Sequence, residues 1–180
     1  MAIQIEKTFQ VEEPAEQVWA LLSNPRRVAL CVPGAKITEQ VNETTYKGAI
    51  SVKVGPSATD YKGEVQIVRL DAENHEIEIL GKGQDVKGRG SASMKMTGRL
   101  RVLPTGGTEV TSSSEVNVVG ILAQMGARVI NEVSNVLFAQ FIKNFQAQLR
   151  NPEASAQEAK PLSAASVAWA AAKGAFHRNS

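Results

Sequence analysis

One cysteine is the first residue to consider as a nucleophile. Cys31 is the single cysteine, and the two histidines are His75 and His177. A cysteine nucleophile needs a neighbouring base, but His75 falls in a predicted turn and His177 lies far along the sequence in a separate segment. We therefore predict that Cys31, which precedes Val32 and Pro33, is a small buried apolar residue.

The sequence also contains few residues suited to acid–base catalysis or metal binding. Asp60, Glu64, Glu76 and Glu78 fall at polar positions of predicted strands, where solvation is the simplest interpretation. One cysteine allows neither an internal disulfide framework nor a cysteine metal cluster. The segment Gly81-Lys82-Gly83-Gln84 lacks the helix that must follow a phosphate-binding loop. The sequence therefore predicts no catalytic residue and no metal site.

Composition indicates one soluble globular domain plus a tail. The chain has 180 residues, of which 43% are hydrophobic and 21% charged, which are ordinary values for such proteins. A net charge of +2 and an aromatic content of 5% do not favour a nucleic-acid partner. No stretch approaches the roughly 20 apolar residues of a membrane span, and residues 1–10 lack the apolar core of a signal peptide. We expect a cytoplasmic protein, some of it at the inner face of the membrane.

The elements that must position any site are mostly antiparallel strands. Apolar and polar residues alternate over residues 3–11, and two short helices are predicted over residues 14–22 and 26–31. Strands are then predicted near 36–42, 45–54, 59–70, 74–82, 88–103 and 108–119. A single long helix is predicted from Gly120 to Arg150, with an apolar stripe at Leu122, Met125, Val129, Val133, Val136, Leu137 and Phe141.

Glycines share the apolar face of these strands. They are Gly48, Gly63, Gly81, Gly83 and Gly98. Glycine inside a strand often marks a bend or a close approach. A bent sheet under a long helix is concave, so the sequence predicts space between the two.

Several segments resemble a known family. They are Pro14-Ala15-Glu16-Gln17-Val18-Trp19, Cys31-Val32-Pro33-Gly34, Tyr46-Lys47-Gly48 and Gly120-Ile121-Leu122-Ala123. Over residues 1–150 the chain resembles the G-subunit family of carbon monoxide dehydrogenase, part of the helix-grip superfamily with START lipid-transfer domains and the birch-pollen allergen. The segment Cys31-Val32-Pro33-Gly34 is the most specific part of this resemblance.

The resemblance implies a fold and a role. The fold is α+β, a helix-grip fold in which a curved antiparallel sheet of about seven strands wraps around a long C-terminal helix, with two short helices after the first strand. The role is that of a non-catalytic accessory protein of a carbon monoxide dehydrogenase-type molybdenum hydroxylase. It would have no built-in cofactor, would bind a quinone or lipid in the grip cavity, and would associate with dehydrogenase subunits and the membrane.

Residues on the inner face are the predicted ligand contacts. Methionine side chains suit an adaptable apolar pocket, and inward serines could bond across strands or offer a ligand its only hydrogen bonds. Ordinary core packing is the alternative. The predicted contacts are Ile50, Val52, Tyr61, Ile67, Met94, Met96, Ser112, Ser114, Leu122, Met125, Val129 and Val133.

The tail is predicted to be separate from the domain. We expect a ligand-binding domain at 1–150, a flexible linker at 151–161 and an amphipathic, helical tail at 162–180. Leu162, Trp169, Lys173 and Phe176 would place aromatics in a membrane interface or on a partner, with cations toward anionic headgroups. A disordered tail, or a helix docked on a neighbouring protein, is the alternative.

Two other functions compete with the carrier. Helix-grip folds also include polyketide aromatase/cyclases, but that function needs a titratable residue inside the cavity, and the sequence offers no convincing one. The third function is a structural adaptor whose cavity is filled by its own side chains.

Overall fold

A computed structural model of the chain describes residues 1–54 and 56–151. Beyond residue 151, the predicted linker and tail lie outside the described residues. The expected order of elements is confirmed: β1 (Ala2–Val11), α1 (Ala15–Leu22), α2 (Pro25–Cys31), β2 (Ala35–Gln40), β3 (Thr45–Val54), β4 (Ser57–Asp71), β5 (Glu76–Asp85), β6 (Gly90–Val102), β7 (Thr108–Gly120), α3 (Ile121–Gln124) and α4 (Ala127–Arg150).

The strands form one antiparallel sheet in the order β1-β7-β6-β5-β4-β3-β2. Consecutive strands from β2 to β7 pair as hairpins, and β1 pairs with β7. The two short helices carry the chain from β1 at one edge to β2 at the other. The sheet curves around α4, as the resemblance implies.

The predicted single helix from Gly120 to Arg150 is wrong. A short helix, α3, ends at Gln124 with Met125 as its C-cap, and α4 begins only after Gly126. Gly126 has a φ of +88°, a backbone conformation that residues with side chains rarely adopt. The interruption therefore depends on Gly126. The segment contains no proline, which is why one continuous helix was predicted.

The packed core lies at one end of the sheet. Phe145 and Leu149 near the end of α4 pack with Val18 and Leu21 of α1, and with Cys31 of α2. The strand residues of this cluster are Val11, Leu100 and Val110. We call this cluster, with the C-terminal half of α4, the closed end. A second, smaller cluster of Tyr46, Ile67 and Ile77 adjoins it through Trp19 and Leu22.

Candidate ligand-binding site

The register of the sheet shows which strand residues face α4. Leu100 and Val110 pack against Phe145 at the closed end, and side chains two apart along a strand lie on the same face. Alternation and pairing then place all eight predicted strand contacts on this concave face, at positions 50, 52, 61, 67, 94, 96, 112 and 114. The alternation in the sequence therefore identified the correct face of the sheet.

Away from the closed end, water reaches the concave face. Ile50, Val52, Met94 and Met96 are only half-buried although they point toward the helix side. Val65 keeps 38% of its surface exposed. Within the described residues, the backbone of α4 comes closest to α2, α1, β1 and β3. Part of the apolar concave face therefore remains accessible beside the helix.

The N-terminal half of α4 is likewise only partly buried. Its half-buried residues include Val129, Ile130, Val133 and Leu137, and none of them is fully buried. Val136 was predicted to belong to the same apolar stripe. That prediction is wrong, because 59% of the surface of Val136 is exposed. We call the concave face of the central strands, with α3 and this half of α4, the open end.

Several predicted contacts have surroundings that differ from those expected. Ile67 belongs to the second core cluster. Ser114 is buried and Ser112 half-buried, and the hydrogen bonds of the described residues include none from either side chain. Leu122 lies on α3 and Met125 caps its C-terminus, so neither is part of the long helix. Both are half-buried at the open end.

One polar cluster on the concave face was not predicted. Asp85 is opposite Tyr61 in the β4–β5 register. Its carboxylate accepts hydrogen bonds from the Arg89 Nε at 2.7 Å, the Arg89 Nη2 at 3.2 Å and the Arg89 backbone N–H at 2.9 Å. These bonds, chiefly those from the Arg89 side chain, lower the pKa of Asp85. Burial first, and then the charge of Asp85, raises the pKa of Tyr61.

The Tyr61 hydroxyl is the unusual member of this cluster. Tyr61 is 6% exposed, and its hydroxyl has no hydrogen-bond partner within the described part of the chain. The sequence did contain a signal for Asp85. Asp85 continues the inward alternation of Ile77 and Ile79 through Gly81 and Gly83. The predicted strand ended at residue 82, so Asp85 was left outside it.

A lysine also points toward the helix. Lys7 of β1 interrupts the apolar face, as the sequence indicated. Its ammonium group donates to Asn135 Oδ1 of α4 and lies 5.5 Å from the centre of the Phe138 ring. This contact joins the edge strand β1 to the helix.

A groove lies at the C-terminal end of α4. It has a volume of about 280 Å³ and is lined by Gln10, Val11, Glu12, Glu13, Leu103, Thr105, Gln146 and Arg150. Most of these side chains are polar or charged. The groove therefore does not suit an apolar ligand.

Sequence comparison assigns the chain to a family. The family model for CoxG, described as the G subunit of carbon monoxide dehydrogenase, matches residues 8–150. The chain belongs to the CoxG family. No curated protein matches it.

Solved structures show that this CoxG-family chain has a helix-grip fold. A conserved protein from Geobacillus kaustophilus has a TM-score of 0.75 at 20% identity, with 82% of this chain and 95% of that chain covered. The Zhui aromatase/cyclase of a Streptomyces species has a TM-score of 0.60 at 15% identity, with 85% and 99% covered. A START superfamily protein from Mycobacterium smegmatis has a TM-score of 0.56 at 11% identity, with 82% and 97% covered.

The segment that most resembles the CoxG family has a structural role. Asn144 Nδ2 of α4 donates to the Cys31 carbonyl at 3.1 Å, and the Ser51 N–H donates to the Gly34 carbonyl at 3.1 Å. Val32 and Pro33, between them, are half-buried. The segment thus ties α2 to α4 and to β3.

Cys31 itself is fully buried. Burial raises the pKa of its thiol to about 12, so the reactive thiolate is scarce at neutral pH. Its sulfur lies 3.5 Å from the Arg27 carbonyl. The structure agrees with the prediction of a small buried residue.

Metal-binding clusters and membrane-spanning helices are both absent from the described residues. None of the histidine, cysteine, aspartate and glutamate side chains in this part of the chain group in threes as a metal site would require. No helix among the same residues is long and apolar enough to span a membrane.

Proposed function

We propose that this protein binds an apolar ligand, a quinone or a lipid, in a gap between the sheet and α4 at the open end. One observation carries the proposal: apolar side chains on the concave face and on the N-terminal half of α4 remain partly accessible to water. Water against such side chains is unfavourable by about 25 cal/mol for each Å² of apolar surface. A ligand with an apolar chain that displaces this water gains that free energy.

The closed end supports the same proposal. A carrier needs a cavity that survives without its ligand, and the larger core cluster holds the sheet and α4 together at one end. The half-buried methionines Met94, Met96 and Met125 can adjust to ligands of different shape.

The family suggests where the ligand goes. We propose that the protein serves a carbon monoxide dehydrogenase-type molybdenum hydroxylase as a non-catalytic accessory protein and carries a quinone or lipid between that enzyme and the membrane. The tail would provide the membrane contact through Leu162, Trp169, Lys173 and Phe176. Full-length protein should then co-sediment with anionic vesicles less at high salt, and Trp169→Ser should weaken co-sedimentation without loss of ligand. Equal sedimentation of both proteins would contradict the tail's role.

Catalysis is the second candidate, because Asp85 and Arg89, which were not predicted from the sequence, place titratable groups near the predicted contact Tyr61. Their protonation states disfavour it. The lowered pKa of Asp85 keeps it ionised and bound to Arg89, and the raised pKa of Tyr61 keeps it protonated. An acid–base catalyst works best with a pKa near the working pH. Conversion of a polyketide mimic that Asp85→Asn abolishes would favour catalysis over transport.

Native mass spectrometry of protein purified from its own cells tests the carrier directly. We expect an additional mass from a retained apolar molecule that is released on denaturation. Protein without a ligand that also fails to take up a long-chain quinone would favour the adaptor function.

A further inference from the structure

The short helix α3 is attached to the rest of the fold at few points. It lies between Gly120 and Gly126, which have φ values of +89° and +88°, a backbone conformation that favours glycine. Its residues are half-buried or exposed, and none is fully buried. Its backbone comes closest to β7. Among the described residues, a single hydrogen bond joins α3 to another element, from the Ile121 N–H to the Arg89 carbonyl oxygen at 3.0 Å.

The acceptor of that bond is fixed by an ion pair in the turn between β5 and β6. The Asp85 carboxylate accepts the Arg89 backbone N–H at 2.9 Å and the Arg89 Nε at 2.7 Å. The Asp85 side chain is fully buried, and charge-assisted hydrogen bonds of this kind are stronger than neutral ones. The pair therefore sets the position of the Arg89 carbonyl group.

The turn and the start of α3 are in backbone contact. Gly90 is paired with Gly120 in the β6–β7 register. A Cβ atom at Gly90 would lie 2.2 Å from the Val119 carbonyl oxygen, and one at Gly120 would lie 2.1 Å from the Arg89 carbonyl oxygen. The other end of α3 is different, because a Cβ atom at Gly126 would meet nothing within 4 Å. The helix is thus held at its start and unpacked at the glycine that follows it.

We propose that α3 is a lid at the open end, that it hinges at Gly126, and that Arg89 is the positioning residue that holds it closed. The proposal rests on the ligand-binding function proposed above, since the lid controls how fast a ligand enters and leaves. When the bond from Ile121 to Arg89 opens, α3 turns about Gly126 and carries Leu122 with it. The Asp85–Arg89 pair therefore acts on passage through the open end.

Amide hydrogen exchange, measured by NMR on the full chain, tests the attachment of α3 without any ligand. Arg89→Ala removes the side-chain bonds to Asp85 and keeps the backbone carbonyl group. It should speed exchange of the Ile121 N–H about tenfold and leave the Leu149 N–H at the closed end unchanged. Arg101→Ala is the matched control, because it breaks an ion pair on the other face of the same sheet. Equal exchange of the Ile121 N–H in both variants would overturn the proposal, as would equal acceleration at Ile121 and Leu149 in Arg89→Ala.

A second variant tests the hinge. Gly126→Ala adds a methyl group that has room but stands at a positive φ, so it disfavours the closed backbone without a clash. It should speed exchange of the Ile121 N–H about threefold or more. Gly106→Ala is the control, since Gly106 has a φ of +90° and equally open surroundings in the β6–β7 turn. Equal effects of both variants at Ile121 would overturn the hinge.

Stopped-flow mixing with decyl-1,4-benzoquinone tests the role as a lid. Arg89→Ala should raise the association and dissociation rate constants by the same factor and leave Kd nearly unchanged, because a lid controls passage in both directions. Unchanged rate constants in a variant whose Ile121 N–H exchanges faster would overturn the lid. Failure of the parent protein to bind the quinone would overturn the ligand-binding function, and the exchange comparison would then decide separately whether Arg89 holds α3.

Discussion

The closed and open ends are made from the same sheet and the same helix, yet they are packed differently. At the closed end, Phe145 and Leu149 of α4 are fully enclosed by strand and helix residues. At the open end, Val129 and Val133 of the same helix remain half-buried above half-buried strand residues. The difference is consistent with two tasks, since one end stabilises the fold and the other is the proposed binding site.

Each end also contains one buried polar atom without a partner among the described residues. These are Gln148 Nε2 at the closed end and the Tyr61 hydroxyl at the open end. Tyr61 is paired with the half-buried Ile50 on the concave face, whereas Gln148 lies beside the packed residue Leu149 on α4.

The largest expected effect comes from matched leucine truncations. Leu149→Ala at the closed end should lower the free energy of unfolding by about 2–5 kcal/mol, because Leu149 is only 2% exposed. Leu122→Ala at the open end should cost less than half as much, because Leu122 is already reached by water. Urea denaturation measures both. Equal losses would mean that the open end is packed like the closed end.

Filling the gap should abolish binding without unfolding the protein. Val129→Trp or Met125→Trp should lower affinity for a long-chain quinone by about tenfold or more, as the added side chain occupies ligand volume. Val136→Trp is the control on the exposed side of the same helix. If the first two variants bind as well as the control, the ligand lies elsewhere.

Cys31 should prove structural. Its folded pKa of about 12 exceeds the ordinary value of 9.0, so the unfolded chain loses the proton first as pH rises. Stability contributed by the protonated thiol is therefore complete below pH 9 and should decline between pH 9 and 12. Cys31→Ser should remove this decline and leave ligand affinity and dehydrogenase-coupled electron transfer unchanged. A large loss of electron transfer in the folded variant would make Cys31 functional.

The smallest effect should come from Gln148. Gln148→Met removes the unpaired amide at similar volume and should raise the free energy of unfolding by about 1 kcal/mol. Ligand affinity should not change, because Gln148 is buried at the closed end. A gain in stability with a loss of binding would show that the two ends are coupled.

Strand order and the concave face could be predicted because alternation in residues such as Met94 and Met96 encodes the face directly. Two features could not. The helix interruption depends on the backbone of Gly126, and glycine alone does not specify a positive φ. The Tyr61–Asp85 pairing depends on the β4–β5 register, since residues 24 apart in sequence meet only once the strands are aligned.

Methyl NMR tests the central claim most directly, namely that the ligand occupies the open end. Decyl-1,4-benzoquinone should be titrated into the full chain with labelled methionine, leucine and valine methyl groups. We expect large chemical-shift changes at Met94, Met96, Met125 and Val129, with little change at Leu21 and Leu149. Shifts confined to the closed end, or no shifts at saturating quinone, would contradict the account.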